Sequence, residues 1–467
     1  MTTLITGEEW RSMDEASRHY DPTAFQGELD AARARIRRIR MEDCTVIVTG
    51  LDGRPLAGAA VEVIQTRPGF AWGEQLWAMS TWQRYGQGES DTIRHYSRLF
   101  RELLTAANCL CYWTERPMHD GPKSEEFQGE PTHEVFAWQV DWALRNGLTP
   151  KGHPLFWSIP KAIPDWVKRY PIETQMRFLE VRIRDLVARH RGRVKLWDVI
   201  NEPLWEAAPK HLAQRVWPHV ETVDDLCEYI VPVLRWAREE DPAAAYVIND
   251  YGLEIDPPGR DLRAADGSPV TAARQRQRFV DLAHRLRDQG AAPDALGMQA
   301  HTGGWIDPST QTAILDDLAR AGLPLHYTEF WASDQHLRDA KLDPKVIDAM
   351  RAEYIANICT VAFAHERVDA FFFWGAITRV MGFRLDQPGV PNSSNNPSLV
   401  YQRLKGLLRG EWMTRERLVS DGDGRVRFRG FHGDYELHAA TRSGMPVGTA
   451  FRITKGVPAQ ATLRLAV

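Results

Sequence analysis

The sequence predicts an α/β fold, a (β/α)8 barrel (TIM barrel) with a small accessory β module formed from both chain ends. Three observations predict it. Eight short apolar runs alternate with amphipathic segments through the middle of the chain. Polar residues gather at the C-terminal ends of those runs. Both chain ends carry β-rich runs separated by Gly-containing turns.

In order, residues 1–42 form a charged arm of helical character that ends in the arginine cluster of Ala31–Arg40. Two β-rich runs follow, Cys44–Gly50 and Ala60–Ile64, around an Asp52-Gly53 turn, the pattern of a hairpin. Near the other end, Arg425–Arg429, Tyr435–Ala439 and Ala461–Leu465 read as strands. A lone hairpin buries too little surface to stand by itself, so 43–66 and 411–467 are expected to join in one sandwich-like module. Residues 67–410 make the barrel, with strands expected at Phe70–Gly73, Cys109–Trp113, Gly152–Trp157, Lys195–Asn201, Tyr246–Asp250, Leu296–His301, Leu325–Phe330 and Asp369–Gly375. Between them lie helical segments such as Met176, Leu179, Ile183, Leu186 and His190, which share one face. Strand–helix alternation implies parallel strands with helical crossovers, and eight such units close a barrel. The rival is an open doubly wound sheet, but no G-x-G-x-x-G follows the first strand.

The 467 residues carry a net charge of −4, which gives no electrostatic footprint for nucleic acid. No run of about 18 apolar residues offers a membrane-spanning helix. Five scattered cysteines (Cys44, Cys109, Cys111, Cys227, Cys359) contain no C-x-x-C pair and suit a reducing compartment. The first twenty residues lack a basic-then-apolar leader pattern, so a cytoplasmic protein is the expectation, or a secreted one if a leader has been trimmed away. Seventeen tryptophans are many for this length. About half are expected in the core, and the others offer flat faces for stacking. Nothing specifies an oligomeric state.

In a barrel of this kind the reactive groups sit at the C-terminal strand ends. Those ends read Gly152-His153-Pro-Leu-Phe-Trp157, Trp197-Asp-Val-Ile-Asn201-Glu202, Asn249-Asp250-Tyr251, Gln299-Ala-His301, Tyr327-Thr-Glu329 and Phe373-Trp374-Gly375. Glu202 and Glu329 end strands four and seven, which face each other across the barrel mouth. Two carboxyl groups held at different protonation states can protonate a leaving oxygen and stabilise an oxocarbenium-like centre, which is what breaking a glycosidic bond requires. Asn201, a neutral amide beside the acid, can hold a sugar hydroxyl without adding charge.

These motifs resemble those of glycoside hydrolase family 10, the xylanase-like family of retaining barrel glycosidases. Trp197-Asp-Val-Ile-Asn-Glu-Pro is similar to its acid/base motif, and His326-Tyr-Thr-Glu-Phe to its nucleophile motif. Gly152-His-Pro-Leu-Phe-Trp, Asn249-Asp-Tyr, Gly297-Met-Gln-Ala-His and Phe373-Trp-Gly follow in the family's order. The resemblance implies a retaining, xylanase-like hydrolase of oligosaccharides or small glycosides. In it Glu202 is the acid/base, Glu329 the nucleophile, and Asn201 the partner of the sugar 2-hydroxyl. His301 would orient Glu329, Gln299 would line the same wall, and His153 and Asn249 would complete the floor. Trp374 would form an apolar wall, and Trp157, Trp113 and Glu115 are further substrate-binding candidates. No metal or cofactor is implied.

The sequence departs from the family at three substrate-side positions. An expected lysine on strand two falls at Cys111 or Tyr112, a histidine after Trp157 is Ser158, and a second tryptophan falls near Met381. Endo-acting, exo-acting and non-catalytic carbohydrate-binding readings therefore stay open. A metal-dependent hydrolase using His153, His301, Asp250 and Glu329 is the rival of another class. It would ordinarily begin with His-x-His on strand one, where this chain has Phe70-Ala71-Trp72. Retention predicts carboxyl groups about 5–5.5 Å apart, against roughly 6.5–9.5 Å for inversion. The charge of Glu329 is expected to raise the pKa of Glu202.

Overall fold

The computed structural model describes residues 20–76, 91–115, 132–206, 208–210, 222–256, 262–264, 266–302, 304–375, 398–440 and 446–466. The chain runs from α1 (Gln26–Ile39) into strands β1 (Met41–Gly50), β2 (Ala60–Pro68) and β3 (Ala71–Gln75). Helices and strands then alternate: α2 (Asp91–Leu103), β4 (Ala106–Leu110), α3 (His133–Arg145), β5 (Thr149–His153) with its short continuation β6 (Phe156–Trp157), α4 (Ile172–Arg189) and β7 (Leu196–Asn201). Next come α5 (Val223–Glu240), β8 (Ala245–Asp250), α6 (Ala272–Asp288), β9 (Ala295–Met298) with β10 (His301–Thr302), α7 (Pro308–Ala319) and β11 (Leu325–Ala332). A short α8 (Gln335–Asp339), the long α9 (Pro344–Ala364), β12 (Val368–Phe373) and α10 (Leu399–Gly406) lead to β13 (Arg415–Val419), β14 (Arg425–Phe431), β15 (Gly433–Ala440), β16 (Pro446–Ile453) and β17 (Ala459–Leu465).

Two compact units divide these elements. One draws on Met1–Ala71, Asp348–Glu366 and Leu399–Val467, the other on Trp72–Ile347 and Arg367–Ser398. In the first unit, β14-β1-β17 and β13-β2-β15-β16 form separate sheets. Period-two burial along β1 turns Cys44, Val46 and Val48 inward, where they share one core with Val61, Val63 and Leu437. The sequence reading gave 67–410 to the barrel, whereas the compact units assign most of α9 to the first unit. Its contacts there explain why. Asn357 donates to the Tyr20 hydroxyl at 2.7 Å, and the buried Arg40 guanidinium donates to the Phe363 and His365 carbonyls at 2.8 and 2.7 Å.

In the second unit the strands run β12-β3-β4-β5-β7-β8-β9 in parallel, and β11 pairs with both β9 and β12 to close the eight-membered cycle. The helices begin where the sequence supplies caps. Thr222 and Asp225 form a reciprocal capping box at α5, and Thr271 and Asp307 cap α6 and α7. Strand-to-strand approach depends on Gly152, whose Cβ, if present, would lie 2.1 Å from the Trp197 ring.

Three strand predictions shift, the third barrel strand among them: it begins at Thr149, three residues earlier than expected, and is interrupted between His153 and Phe156. The second barrel strand is Ala106–Leu110, three residues earlier than expected, because the chain leaves the ladder at Tyr112 and folds its buried aromatic residues into a loop wall. The sixth breaks after Met298, where Ala300 adopts a left-handed φ of 59° and resumes briefly as β10. Among the described residues no helix is long and apolar enough to cross a membrane. All five cysteines are buried and unpaired.

Candidate active site

Glu202 sits one residue past β7 with a left-handed φ of 59°. A non-glycine residue holds that conformation only where its surroundings enforce it, and such positions cluster at functional sites. Three hydrogen bonds enforce it here. The Glu202 amide donates to the Asn249 carbonyl at 2.7 Å, and Asp250 accepts the amides of Leu204 and Tyr251 at 2.7 and 2.8 Å. Farther along, the Trp205 indole donates to the Tyr251 carbonyl at 2.6 Å and stacks on the Tyr251 ring. Gly252, with φ +61°, lies against that indole where a Cβ would come within 2.9 Å.

The Glu202 carboxyl is held from two sides. Trp157 donates its indole N–H to Oε2 at 2.7 Å, and Gln299 donates to Oε1 at 2.8 Å. Glu329, on β11, is held from two others: Asn249 Nδ2 donates to Oε1 at 2.8 Å, and His301 Nε2 lies 3.1 Å from Oε2. The same Asn249 amide donates to Asn201 Oδ1 at 2.8 Å, while Thr328 donates to Asn249 Oδ1. The two carboxyl groups are thus linked through one polar network, Glu329–Asn249–Asn201–Gln299–Glu202.

Their protonation tendencies diverge. Burial pushes the Glu202 carboxyl well above the usual carboxylate range, and the charges of Glu329, Asp250 and Glu206 push the same way against the Gln299 hydrogen bond. Burial, not the Glu329 charge, is the larger cause, which corrects the sequence reading. Burial also opposes ionisation of Glu329, yet His153 and His301 outweigh it and hold that carboxyl below its ordinary value.

His153 Nε2 is 3.7 Å from Glu329 Oε1, and its Nδ1 meets Asp198 at 2.7 Å. Asp198 in turn pairs with Lys151 at 2.5 Å, both being fully buried. Neither Lys151 nor Asp198 was picked out by the sequence reading. The available signal was their placement within strands at alternate positions facing inward, where a charged residue needs a partner.

The remaining residues fall at different distances from this centre. Trp374 packs against His153 and His301, with ring centroids 5.3 and 6.4 Å apart. Leu110, Tyr112, Trp157 and Trp374 form one buried apolar cluster, with Trp331 packed on it. Tyr112, at a position where a lysine was expected, meets His153 edge-on at 5.6 Å, and the Cys111 thiol donates to the Pro154 carbonyl. Ser158, in place of a histidine, buries an Oγ that has no hydrogen-bond partner among the described residues. Trp113 lies under the Arg182 guanidinium, and Glu115 is half-exposed on the loop after β4. Met381 lies outside the described residues. Of the four residues of the metal-ligand rival, His153 and His301 approach Glu329, whereas both oxygens of Asp250 accept backbone amides.

The closed parallel eight-stranded barrel thus carries two buried carboxyl groups at the ends of its fourth and seventh strands. The glycosyl hydrolase family 10 model matches residues 104–404, and the chain belongs to that family. An endo-1,4-beta-xylanase 2 of Arabidopsis thaliana is 25% identical over 435 residues, covering 92% of this chain and 35% of the plant protein. A beta-1,4-xylanase of Dictyoglomus thermophilum is 29% identical over 291 residues, or 61% of this chain and 74% of its own length. The anti-sigma-I factor RsgI6 of Acetivibrio thermocellus is 25% identical over 88% of this chain and 46% of that protein. The chain thus spans less than half the length of the Arabidopsis and Acetivibrio relatives. Among solved structures, native xylanase 10B from Thermotoga maritima superposes with a TM-score of 0.53 at 20% identity, covering 73% of this chain and 96% of that one, a likeness of fold.

Proposed function

We propose that the protein hydrolyses β-glycosidic bonds of xylan-type oligosaccharides with net retention of configuration, using Glu202 as acid/base and Glu329 as nucleophile. The observation that carries this reading is the divergence of the two carboxyl groups: Glu202 is driven toward its protonated form and Glu329 toward its ionised form, over one shared amide network. In the first step a Glu329 oxygen bonds to the anomeric carbon as the glycosidic C–O bond breaks, and Glu202 gives its proton to the departing oxygen. In the second, Glu202 takes a proton from water, whose oxygen displaces Glu329. Asn201 holds the sugar 2-hydroxyl, a bond that strengthens in the transition state. The xylanase names of the relatives support the sugar class. The altered wall at Cys111, Tyr112 and Ser158 favours a second reading of substrate, an exo-acting β-glycosidase on another small glycoside.

A panel of aryl β-glycosides and defined xylo-oligosaccharides tests both readings, with product anomers followed by NMR. Glu202→Gln and Glu329→Gln are each expected to lower turnover at least 10³-fold. With azide, Glu329→Gly should yield the inverted glycosyl azide and Glu202→Ala the retained one. The opposite pairing would exchange the two roles, and turnover that survives both Gln variants would remove the pair from catalysis.

A further inference from the structure

The first compact unit holds a cavity of its own. It measures about 260 Å³ and lies between α1, the start of β1, the segment Glu411–Thr414 and strands β13 and β14, all of them parts of that unit. Buried apolar side chains make its floor: Ile36, Trp412 and Phe431, with Met41 and Met413 half-buried beside them. Three guanidinium groups stand around that floor, the half-buried Arg33 and the exposed Arg37 and Arg429. Two carboxylates, Glu411 and Glu416, line the same space. The volume is just below the roughly 300–1,000 Å³ of sites that take drug-sized ligands, so it suits a single small molecule.

The charges around this space are arranged for a guest and not for one another. Arg33 and Arg37 lie one turn apart on α1, so two like charges share a face. Arg33 meets Asp30 at 2.7 Å, and Arg429 donates to the Met41 carbonyl at 2.9 Å with Asp43 at 3.4 Å. Both aspartates are exposed and neither lines the cavity. On β13, Arg415 and Arg417 both turn to Glu62, at 3.1 and 3.5 Å, which leaves Glu416 on the opposite face. Among the described residues the side chains of Arg37, Glu411 and Glu416 make no hydrogen bond or ion pair. Opposite charges thus line one space without meeting across it. An apolar occupant would strip water from both signs and pair neither, and a bare anion would leave the glutamates without donors. We propose that this cavity binds an anionic monosaccharide, a sugar acid or a sugar phosphate. Its anionic group lies on the arginines, whose planar fork meets carboxylate and phosphate alike. Its hydroxyls donate to Glu411 and Glu416, and its C–H face covers the apolar floor. The site is separate from the roles proposed above for Glu202 and Glu329.

Binding to the full chain tests it, with no need for turnover. Glucuronate and glucose 6-phosphate are titrated by calorimetry beside glucose, inorganic phosphate and alanine. In parallel, methionine methyl groups labelled with 13C report where the probe sits, since Met41 and Met413 line the cavity. At least one of the two anionic sugars should saturate a single site about 10-fold or more tighter than glucose, and should shift the Met41 and Met413 methyls. Which of the two binds more tightly identifies the anionic group. Arg37→Gln should weaken that binding about 10-fold and Glu416→Ala about 5-fold. Both side chains are exposed, so neither change should disturb folding, and the two variants lie on different elements. Absence of saturable binding, methyl shifts confined to other methionines, or unaltered affinity in both variants would overturn the site. Glucose or alanine binding as tightly as the anionic sugars would overturn the ligand class. So would inorganic phosphate matching glucose 6-phosphate, which would mean an adventitious ion only.

Discussion

Glu202 carries opposite consequences for chemistry and for stability. Its folded-state pKa is raised above the value of an unfolded glutamate, chiefly by burial. Between those two values the folded protein binds the extra proton, so stability falls as pH rises through that window and is not lost below it. Glu202→Gln removes the ionisable group and keeps one acceptor oxygen for the Trp157 indole N–H, while a turned Gln299 amide can accept from the new NH2. The variant is therefore expected to melt about 2 °C higher than the parent at pH 8, with the difference shrinking toward pH 4. Calorimetry across that range reads it, and a gap that widens on acidification would contradict the sign. The motif around Glu202 was legible because Asn201 and Pro203 flank it in sequence. Its left-handed backbone was not, since the force that imposes it comes from Asn249 and Asp250, nearly fifty residues away.

At the scale of elements, β5 and β7 are joined by more than their ladder. Lys151 and Asp198 form a fully buried ion pair whose carboxylate also takes His153 Nδ1. Burial alone would raise the Asp198 carboxyl, but the Lys151 charge and the His153 contact hold it low. Breaking such a pair from one side strands a charge and typically costs about 3–5 kcal/mol. Lys151→Met should show that loss in chemical denaturation. Lys151→Met combined with Asp198→Leu should recover most of it, because the charges leave together, yet turnover should remain low since His153 then lacks its anchor. A double variant as unstable as the single one would mean the pair is not the source. Strand order and number were readable from apolar runs bounded by turn residues. The shift of β4 was not, because Tyr112 and Trp113 look like strand residues and are instead buried loop residues. The interruption between β9 and β10 was also hidden, as a single left-handed alanine leaves no mark on a hydrophobicity pattern.

At the scale of the whole molecule, three separate stretches of sequence build the first compact unit. Its sheets are sewn from both chain ends: β1 lies between β14, antiparallel, and β17, parallel, with Cys44 to Gly50 registered on Ala459 to Leu465. The β-rich character of each end was legible locally, and the need to bury an apolar face implied that they meet. Which strand lies beside which was not, since register between segments some four hundred residues apart depends on the folded whole. Chain closure of that span is entropically slow to grow in cost, so the pairing is sustained by burial. β17 contributes Ala461, Leu463 and Leu465 to the shared core, beside Val46 and Val48. Removing residues 459–467 therefore exposes one flank of β1 and opens that core, at about 1.5–3 kcal/mol for each large apolar side chain lost. Hydrogen exchange should then show faster exchange along Met41–Gly50, with the central barrel strand β8 retaining its protection because its partners β7 and β9 are untouched. Equal loss of protection in β1 and β8 would instead mean that the two units unfold as one.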